Sequence, residues 1–459
     1  MRRVAIIGGG ISGLAALHFI RTRQPEDVEV ELFEKDSRTG GTIGTERTEG
    51  FVADWGPNGF LDKTPLTLRL VSELGLDKRL ERAAPKAERR FIYRNRRLNE
   101  IHAHPLKFMR SSILSVPGRL RLALEPFIAP KKDDGDETIF AFARRRIGRE
   151  AAVNMIGPMV SGIFGGDARQ LSLRACFPVM VEMEKEYGSL FKALIARKKA
   201  GKKASAAGPS GRLTSFQNGL YTLVEVMHER YKNYIKINHE VISVIRHDDG
   251  YRLSFAKGEP QTFDAVICAA PAWAAAGMFQ HMDNGLAELL DSIPYASIAV
   301  VCTGFRREDV GHDLAGFGFL IPRGEDKRVL GSIWTSSIFS NCSPEGMVQF
   351  RTMVGGATDP EAVKLTDEAL KTLVADELSP VVGITGPPVW VKIFKFAKGI
   401  PQFVVGHPDK MTRLEQFQRC YPGLYFTGNA YDGVGLNDCV VRSDKVVRAL
   451  FTDQPVAVK

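Results

Sequence analysis

The 459-residue sequence has no apolar run approaching the roughly eighteen residues a spanning helix needs. Its longest candidate, AVICAAPAWAAAGMF at 265–279, is interrupted by Pro271. Paired cysteines are also missing. The six cysteines stand at 176, 268, 302, 342, 420 and 439. Such scatter excludes a disulfide framework or a zinc site and leaves free thiols in a reducing compartment. The nine histidines are dispersed. No Ser/His/Asp or Cys/His arrangement and no carboxylate pair stands out, so no histidine is nominated as catalytic and no metal is expected. Zinc-finger, RNA-binding and basic-zipper patterns are absent, which excludes nucleic acid as an expected partner. Arg2 and Arg3 precede a short apolar run, but glycines follow at once with no small-residue cleavage site. The opening therefore reads as the first strand of the mature protein, starting near residue 4, and not as a signal peptide. Internal repeats and low-complexity tracts are missing too.

What remains is ordinary globular composition, 44% hydrophobic and 25% charged, in a chain long enough for two or three domains. The formal charge of +9 favours an anionic partner: an acidic substrate, a phosphate-bearing cofactor or an anionic lipid surface.

The opening RRVAIIGGGISGLAALHFIRTR carries the strongest local signal. Val4–Ile7 is a continuous apolar run, as in a parallel strand covered on both faces. Gly8, Gly10 and Gly13 fit G-x-G-x-x-G, with Ile11 and Ser12 expected in the same cofactor-binding turn, and an amphipathic helix follows through Leu14, Leu17, Phe19 and Ile20. A second strand, Val28–Phe33, ends in Glu34, 21 residues after Gly13. That is where a carboxylate accepts hydrogen bonds from a ribose. Gly8 permits the tight turn, Gly10 lets backbone approach a pyrophosphate, and Gly13 lets helix and strand pack closely. The helix N-terminus offers N–H groups to the anion.

After Glu34 comes KDSRTGG, completing E-x-x-x-R-x-G-G with Lys35, Arg38, Gly40 and Gly41. This resembles the extension of the amine-oxidase-like FAD superfamily, in which the arginine and glycines approach the diphosphate and flavin. The resemblance implies FAD and not NAD. It also implies an α/β fold: a Rossmann-like FAD-binding domain assembled from discontinuous segments, a mixed-sheet substrate domain and a helical, membrane-facing insert. The expected layout is FAD-binding at 1–80, 211–272 and 391–459, substrate-domain strands at 81–104, the helical insert at 105–210 and the substrate-binding domain at 273–390. Residues 196–211, rich in Arg, Lys and small residues, read as a mobile basic loop.

Several segments narrow the resemblance: DWGPNGFL (54–61), ERRFIYR (88–94), SGIFGGDARQLSL (161–173), GFGFLIP (316–322), LGSIWTSSIF (330–339), MVGGA (353–357), GIPQFVVGH (399–407) and GNAYDGVGLNDC (428–439). Together they resemble the oxygen-dependent protoporphyrinogen oxidase family, especially its myxobacterial-type bacterial members, over essentially the whole chain. The family implies oxidation of protoporphyrinogen IX by three two-electron hydride transfers to flavin, with O2 reduced to H2O2. By this resemblance Gly56, Pro57 and the backbone at Val241 join the FAD site, and Arg90 holds a substrate propionate. Arg89 is the alternative if the strand register differs. Leu320, Ile333 and Met353 sandwich the macrocycle, although each also suits plain core packing. Gly162 and Ile163 lie beside the reacting ring, and Asn58 orients the macrocycle, although Asn after Gly-Pro is also a normal turn residue. Two departures from the family pattern stand out. Gly59 occupies the usual Ser/Thr position and is expected to loosen its loop, and Phe394 or Phe396 replaces a tryptophan before Pro401.

GNAYDGVGLNDCV at 428–440 forms a second glycine-rich turn after a strand. Gly428 and Asn429 are expected beside the ribityl-diphosphate, and Val434 and Gly435 against the isoalloxazine. A helix from Leu436 would point its positive end at the flavin. Asp432 and Asp438 are expected to be capping or loop residues. The family further implies a membrane lipid surface, hand-over to ferrochelatase, a homodimer, and a cytoplasmic location, peripheral on the inner membrane. Rival readings are coproporphyrinogen III oxidation, an amine oxidase or carotenoid desaturase, and a flavin-free GDP-dissociation-inhibitor-like binder.

Overall fold

The computed structural model describes residues 1–23, 26–102, 111–199 and 211–452. The apolar runs picked out above form one parallel sheet. From one edge its strands are Ile235–Lys236, Val28–Phe33, Arg2–Ile7, Ala265–Cys268 and Leu424–Phe426. Its order draws on segments more than 400 residues apart, so three distant pieces of chain end at one edge. Helix Ile11–Arg23 covers one face, and the last helix, Leu436–Thr452, packs beside it. Val4, Ile6, Leu14, Leu17, Val440 and Val447 share that core and are fully buried. The opposite face carries its own core, in which Phe33, Val266, Phe279 and Phe426 pack together.

A second sheet has seven strands in the order Trp390–Pro401, Tyr295–Arg306, Met347–Gly355, Val329–Trp334, Gly318–Leu320, Phe91–Arg94 and Arg97–Glu100. All its pairings are antiparallel except that of Gly318–Leu320 with Phe91–Arg94. One face is sealed by helix Asp367–Val382, through Leu370, Val374 and Leu378 against Val301, Phe350 and Trp334. The other face points toward the first sheet and the helices of 111–199. Trp390–Pro401 is an edge strand here, so the boundary expected at 390/391 lies instead beyond Pro401.

Between residues 111 and 199 the chain is helical, as its Leu, Phe and Arg spacing anticipates. Helices span Val116–Ala123, Ile139–Ile147, Gly157–Phe164, Pro178–Tyr187 and Leu190–Lys199, with a π-turn at Ala152–Ile156. A buried cluster ties them: Arg146 is fully buried, and its Nε donates to Glu125 Oε1 at 2.9 Å. The other Glu125 oxygen accepts from Ser189 Oγ at 2.6 Å. Contrary to the expected loop, Arg197, Lys198 and Lys199 form the last turn of a helix; residues 200–210, including Lys202 and Lys203, lie outside the described residues. No helix among the described residues is long and apolar enough to cross a membrane.

Candidate active site

The turn after Arg2–Ile7 has the geometry its glycines require. Gly8 has φ +102° and presses against the backbone of Ala269. A Cβ on Gly13 would run into the Gly8 carbonyl oxygen, which is why helix and strand pack so closely there. Gly10 has open space where a Cβ would stand. Glu34 is buried at the end of its strand, and its Oε2 accepts from the Gly9 N–H at 2.6 Å. Ile11 and Ser12 are buried in the first turn of the helix, and Lys35 is exposed.

The loop carrying Gly40 and Gly41 folds onto this turn. The Gly40 N–H donates to the Gly9 carbonyl at 2.8 Å. Arg38 spends its donors on the carbonyls of Thr39, Ile43 and Gly41, at 3.1, 3.0 and 2.8 Å. Its guanidinium lies 4.4 Å from the Trp55 ring centroid. Arg38 therefore shapes the loop, and the glycines present its backbone. Val241 is buried against Phe33. Its approach passes the same strand end, where the His239 N–H donates to the Glu34 carbonyl at 2.8 Å.

The last glycine-rich turn closes the cradle. Gly428 has φ +133°, and the helix begins at Leu436 as its sequence pattern anticipates. The Gly435 N–H donates to Asp438 Oδ2 at 3.2 Å, and Asp432 is a buried ion-pair partner of Arg442 at 2.6 Å. Ser443 Oγ donates to the Ser12 carbonyl at 2.8 Å, binding the last helix to the first turn. Asn437 Nδ2 donates to the Leu61 carbonyl at 2.8 Å, bringing in the segment that carries Gly56, Pro57 and Asn58. Gly59 does not loosen that segment: a Cβ there would stand 2.6 Å from the Thr214 carbonyl oxygen, so a serine or threonine has no room. Backbone N–H donors at the glycines and the helix N-terminus, an open space at Gly10 and an accepting carboxylate at the strand end together fit a dinucleotide of the FAD type.

The open face of the seven-stranded sheet adjoins this cradle. Leu320, Gly331, Met353, Val300 and Phe394 stand opposite one another on five successive strands. In the next row Ile333 faces Arg351. Leu320, Ile333 and Met353 are half-buried, whereas Phe319, Trp334 and Val354, pointing to the sealed face, are buried. Gly331, between Leu320 and Met353, leaves room over which the Leu320 side chain leans. Helix Gly157–Phe164 crosses here: a Cβ on Gly162 would lie 2.7 Å from Leu320 Cδ2. Ile163, beside it, is exposed. Val434 packs against the cluster that holds Phe164, which draws the second glycine turn to the same place. Phe394 stacks on Trp55 at 5.5 Å and 24°, so it contacts the cradle.

At the rim the register is resolved. Phe91 and Tyr93 enter the sealed core, so Arg90 falls on the face of Ile92 and Leu320. Arg90 lies over the Phe317 ring at 5.4 Å and forms no ion pair among the described residues. It is open to solvent but crowded by protein, and desolvation lowers its pKa. Arg89, by contrast, donates from Nε and Nη2 to Glu100 Oε2 at 3.0 and 2.9 Å.

Three residues here were not foreseen from sequence. Arg351, buried on Met347–Gly355, donates from Nη2 to the Gly56 carbonyl. Asp54 accepts from Thr45 Oγ1 and the Leu220 N–H at 2.6 and 2.9 Å, and burial raises its pKa. His407, 2% exposed, donates from Nε2 to the Tyr431 carbonyl at 3.0 Å and stacks on Phe403. Burial lowers its pKa to about 4, so it is a neutral strut under the second turn. Only a single charged residue in an otherwise uncharged strand, MVQFRTMVG, hinted at Arg351.

Comparison with known proteins agrees with this geometry. Residues 11–450 match the family described as flavin containing amine oxidoreductase. Coproporphyrinogen III oxidase of Bacillus subtilis (strain 168) is 31% identical, covering 98% of each chain. The mitochondrial protoporphyrinogen oxidase of Nicotiana tabacum is 28% identical, covering 95% of this chain and 92% of its own. A crystal structure from Exiguobacterium sp. 255-15, provisionally named a protoporphyrinogen oxidase, superposes with a TM-score of 0.86 at 26% identity over 99% of both chains.

Proposed function

The chain belongs to the flavin-containing amine oxidoreductase family and, within it, to the porphyrinogen oxidases, and from that premise we propose that it oxidises protoporphyrinogen IX to protoporphyrin IX. The carrying observation is the pairing of an apolar platform with one unpaired arginine at its rim. Leu320, Ile333 and Met353 offer a macrocycle a flat face, and Arg90, with no ion pair among the described residues, has donors for a carboxylate. A substrate with its two propionates on one side suits that polarity.

Bound FAD supplies the redox chemistry: acceptance of a hydride in each of three two-electron oxidations, and reduction of O2 to H2O2. The chain's own residues position and exclude. Gly8, Gly10, Gly13, Gly40 and Gly41 present backbone to the diphosphate, and Glu34 holds the ribose. Gly56, Pro57, Gly428, Asn429, Val434 and Gly435 border the flavin, and the N-terminus of Leu436–Thr452 favours negative charge there. Gly162 and Ile163 cover the reacting carbon, and the Asn58 amide orients the ring. Leu320 leans over Gly331 and keeps water from the contact.

A lipid surface fits the helical segment. Val116, Leu120, Leu124 and Phe127 are 52–83% exposed at near-helical spacing. Ile195 is exposed on the helix that ends in Arg197, Lys198 and Lys199. Apolar side chains beside a cationic helix end suit a peripheral site on the cytoplasmic face of an inner membrane, where a sparingly soluble product would pass to ferrochelatase. A homodimer belongs to the same proposal.

The second reading is coproporphyrinogen III oxidation, favoured by the identity to the Bacillus subtilis enzyme. Side-by-side turnover of both porphyrinogens, followed by porphyrin fluorescence and peroxide, tests the choice. Higher kcat/KM for protoporphyrinogen supports the proposal, and higher kcat/KM for coproporphyrinogen reverses it.

A further inference from the structure

Behind Asn58, between the flavin-side loop and the second sheet, lies an interior cavity of about 20 Å³. Asp54, Asn58, Ser215, Thr335, Gln349 and Arg351 line it. Five of these carry a buried polar atom with no protein partner: Asn58 Nδ2, Ser215 Oγ, Thr335 Oγ1, Gln349 Oε1 and Arg351 Nε. Ser215, Thr335, Gln349 and Arg351 are each less than a tenth exposed. Buried polar atoms are satisfied as a rule, and leaving one unmade costs more than an average hydrogen bond gains. Five residues that carry such atoms line one small space, which marks it as a built polar site.

The space has the size of one water, which needs roughly 10–15 Å³ and two to four polar partners. The inventory is complementary. Arg351 Nε and Asn58 Nδ2 donate, Gln349 Oε1 accepts, and the two hydroxyls do either. Asp54 uses only Oδ1 for its bonds to Thr45 and Leu220. Its surroundings are Arg351 and Arg47 as charges, and the neutral thiols of Cys302 and Cys342. Burial is the largest influence on it and raises its pKa.

The placement joins the two halves of the site. Arg351 stands opposite Ile333 and two residues before Met353 in the second sheet, and it also holds the Gly56 carbonyl. Asp54 ends the strand that leads into Gly56, Pro57 and Asn58.

We propose that this cavity binds a single ordered water molecule, through which Asp54 and Arg351 act as positioning residues for Asn58 and its loop. The water links the sheet that carries the substrate face to the loop that borders the flavin, and it fixes the Asn58 amide from behind. This rests on the reading that the loop at 56–59 borders the flavin, but not on which porphyrinogen is oxidised.

The test uses the holoenzyme. A high-resolution crystal structure should show one water within hydrogen-bond distance of Arg351 Nε and of at least two other lining side chains. Asp54→Leu and Arg351→Met should move the visible flavin band and lower kcat about tenfold with a smaller change in KM. Asp54→Asn, which keeps a donor and an acceptor in the same shape, should rescue most of what Asp54→Leu removes. If the leucine variant does not fold, Ser215→Ala/Thr335→Val removes two partners without touching a charge, and it should displace the water and shift the band in the same direction. A dry cavity whose side chains pair directly would overturn the proposal. So would a lost water with an unmoved flavin band, or an Asp54→Asn variant as impaired as Asp54→Leu. The band and the water are read without substrate, so failure of the substrate assignment would leave these results standing and be recognised separately.

Discussion

In Arg90→Ala the lost groups are a guanidinium over the Phe317 ring and a charge with no ion pair among the described residues. Nothing internal is left unpaired by the change, so folding should barely respond. The cation–π contact at this open position accounts for about 0.5–1 kcal/mol, which in a chain of this size moves Tm by about 2 °C at most. Substrate binding should respond far more. A charged hydrogen bond to a propionate carries about 1.5–3 kcal/mol, or roughly a ten- to 150-fold fall in kcat/KM. Arg89→Ala is the control, because Arg89 already spends its donors on Glu100. It should change kcat/KM less than about twofold, because breaking a surface pair costs folding at most about 1 kcal/mol and removes no contact to the substrate. The assay is initial porphyrin fluorescence across substrate concentrations, with Tm and flavin content measured on the same preparations. Unchanged kcat/KM in Arg90→Ala, or a larger fall in Arg89→Ala, refutes the anchor.

Other consequences can be checked independently. Gly13→Ala puts a methyl group into the Gly8 carbonyl, backbone that cannot move aside, and should yield protein without bound flavin or no folded protein; a yellow, stable variant would contradict the turn. Gly162→Ala places a Cβ 2.7 Å from Leu320 Cδ2, so Leu320 must rotate over the substrate face. Tm should stay near wild type while kcat/KM falls about tenfold, and an unaffected rate would remove Gly162 from the site. His407 is held neutral with its pKa near 4. The unfolded chain protonates this histidine near its ordinary value of 6.5 and the native protein does not. Stability is therefore full above that value and is lost as pH falls toward 4, by up to about 3 kcal/mol. Urea melts of His407→Gln should be flatter across that window, and an identical pH slope would reject the assignment.

Much of the cradle was legible in the sequence because local chemistry dictates it. Gly8, Gly10, Gly13 and Glu34 stand at spacings that a strand–turn–helix–strand unit imposes, and the second turn reads from Gly428 to Leu436 in the same way. The alternation in RRFIYR also placed Arg90 opposite Phe91 correctly. Strand pairing was not legible at the boundary, because Trp390–Pro401 reads as one more strand and only its partner, Tyr295–Arg306, shows which sheet owns it. Gly59 misled for a related reason: its meaning lies in the Thr214 carbonyl, more than 150 residues away. Arg351 and Asp54 escaped because each is ordinary in its own strand, and their common cavity exists only once two sheets meet. The helix through Lys199 ran past the expected start of the loop because Leu190, Ala193 and Leu194 keep a helical spacing up to the basic residues.

The central claim is that a porphyrinogen lying on the Leu320–Met353 face, held by Arg90, delivers hydride to the flavin in this cradle. Anaerobic single-turnover mixing of the yellow holoenzyme with protoporphyrinogen IX, coproporphyrinogen III and a simple amine, each alone, measures that transfer directly as bleaching of the flavin band. The account predicts fastest bleaching with protoporphyrinogen, slower bleaching with coproporphyrinogen and none with the amine. Bleaching by the amine at a comparable rate, or none with either porphyrinogen, would contradict it.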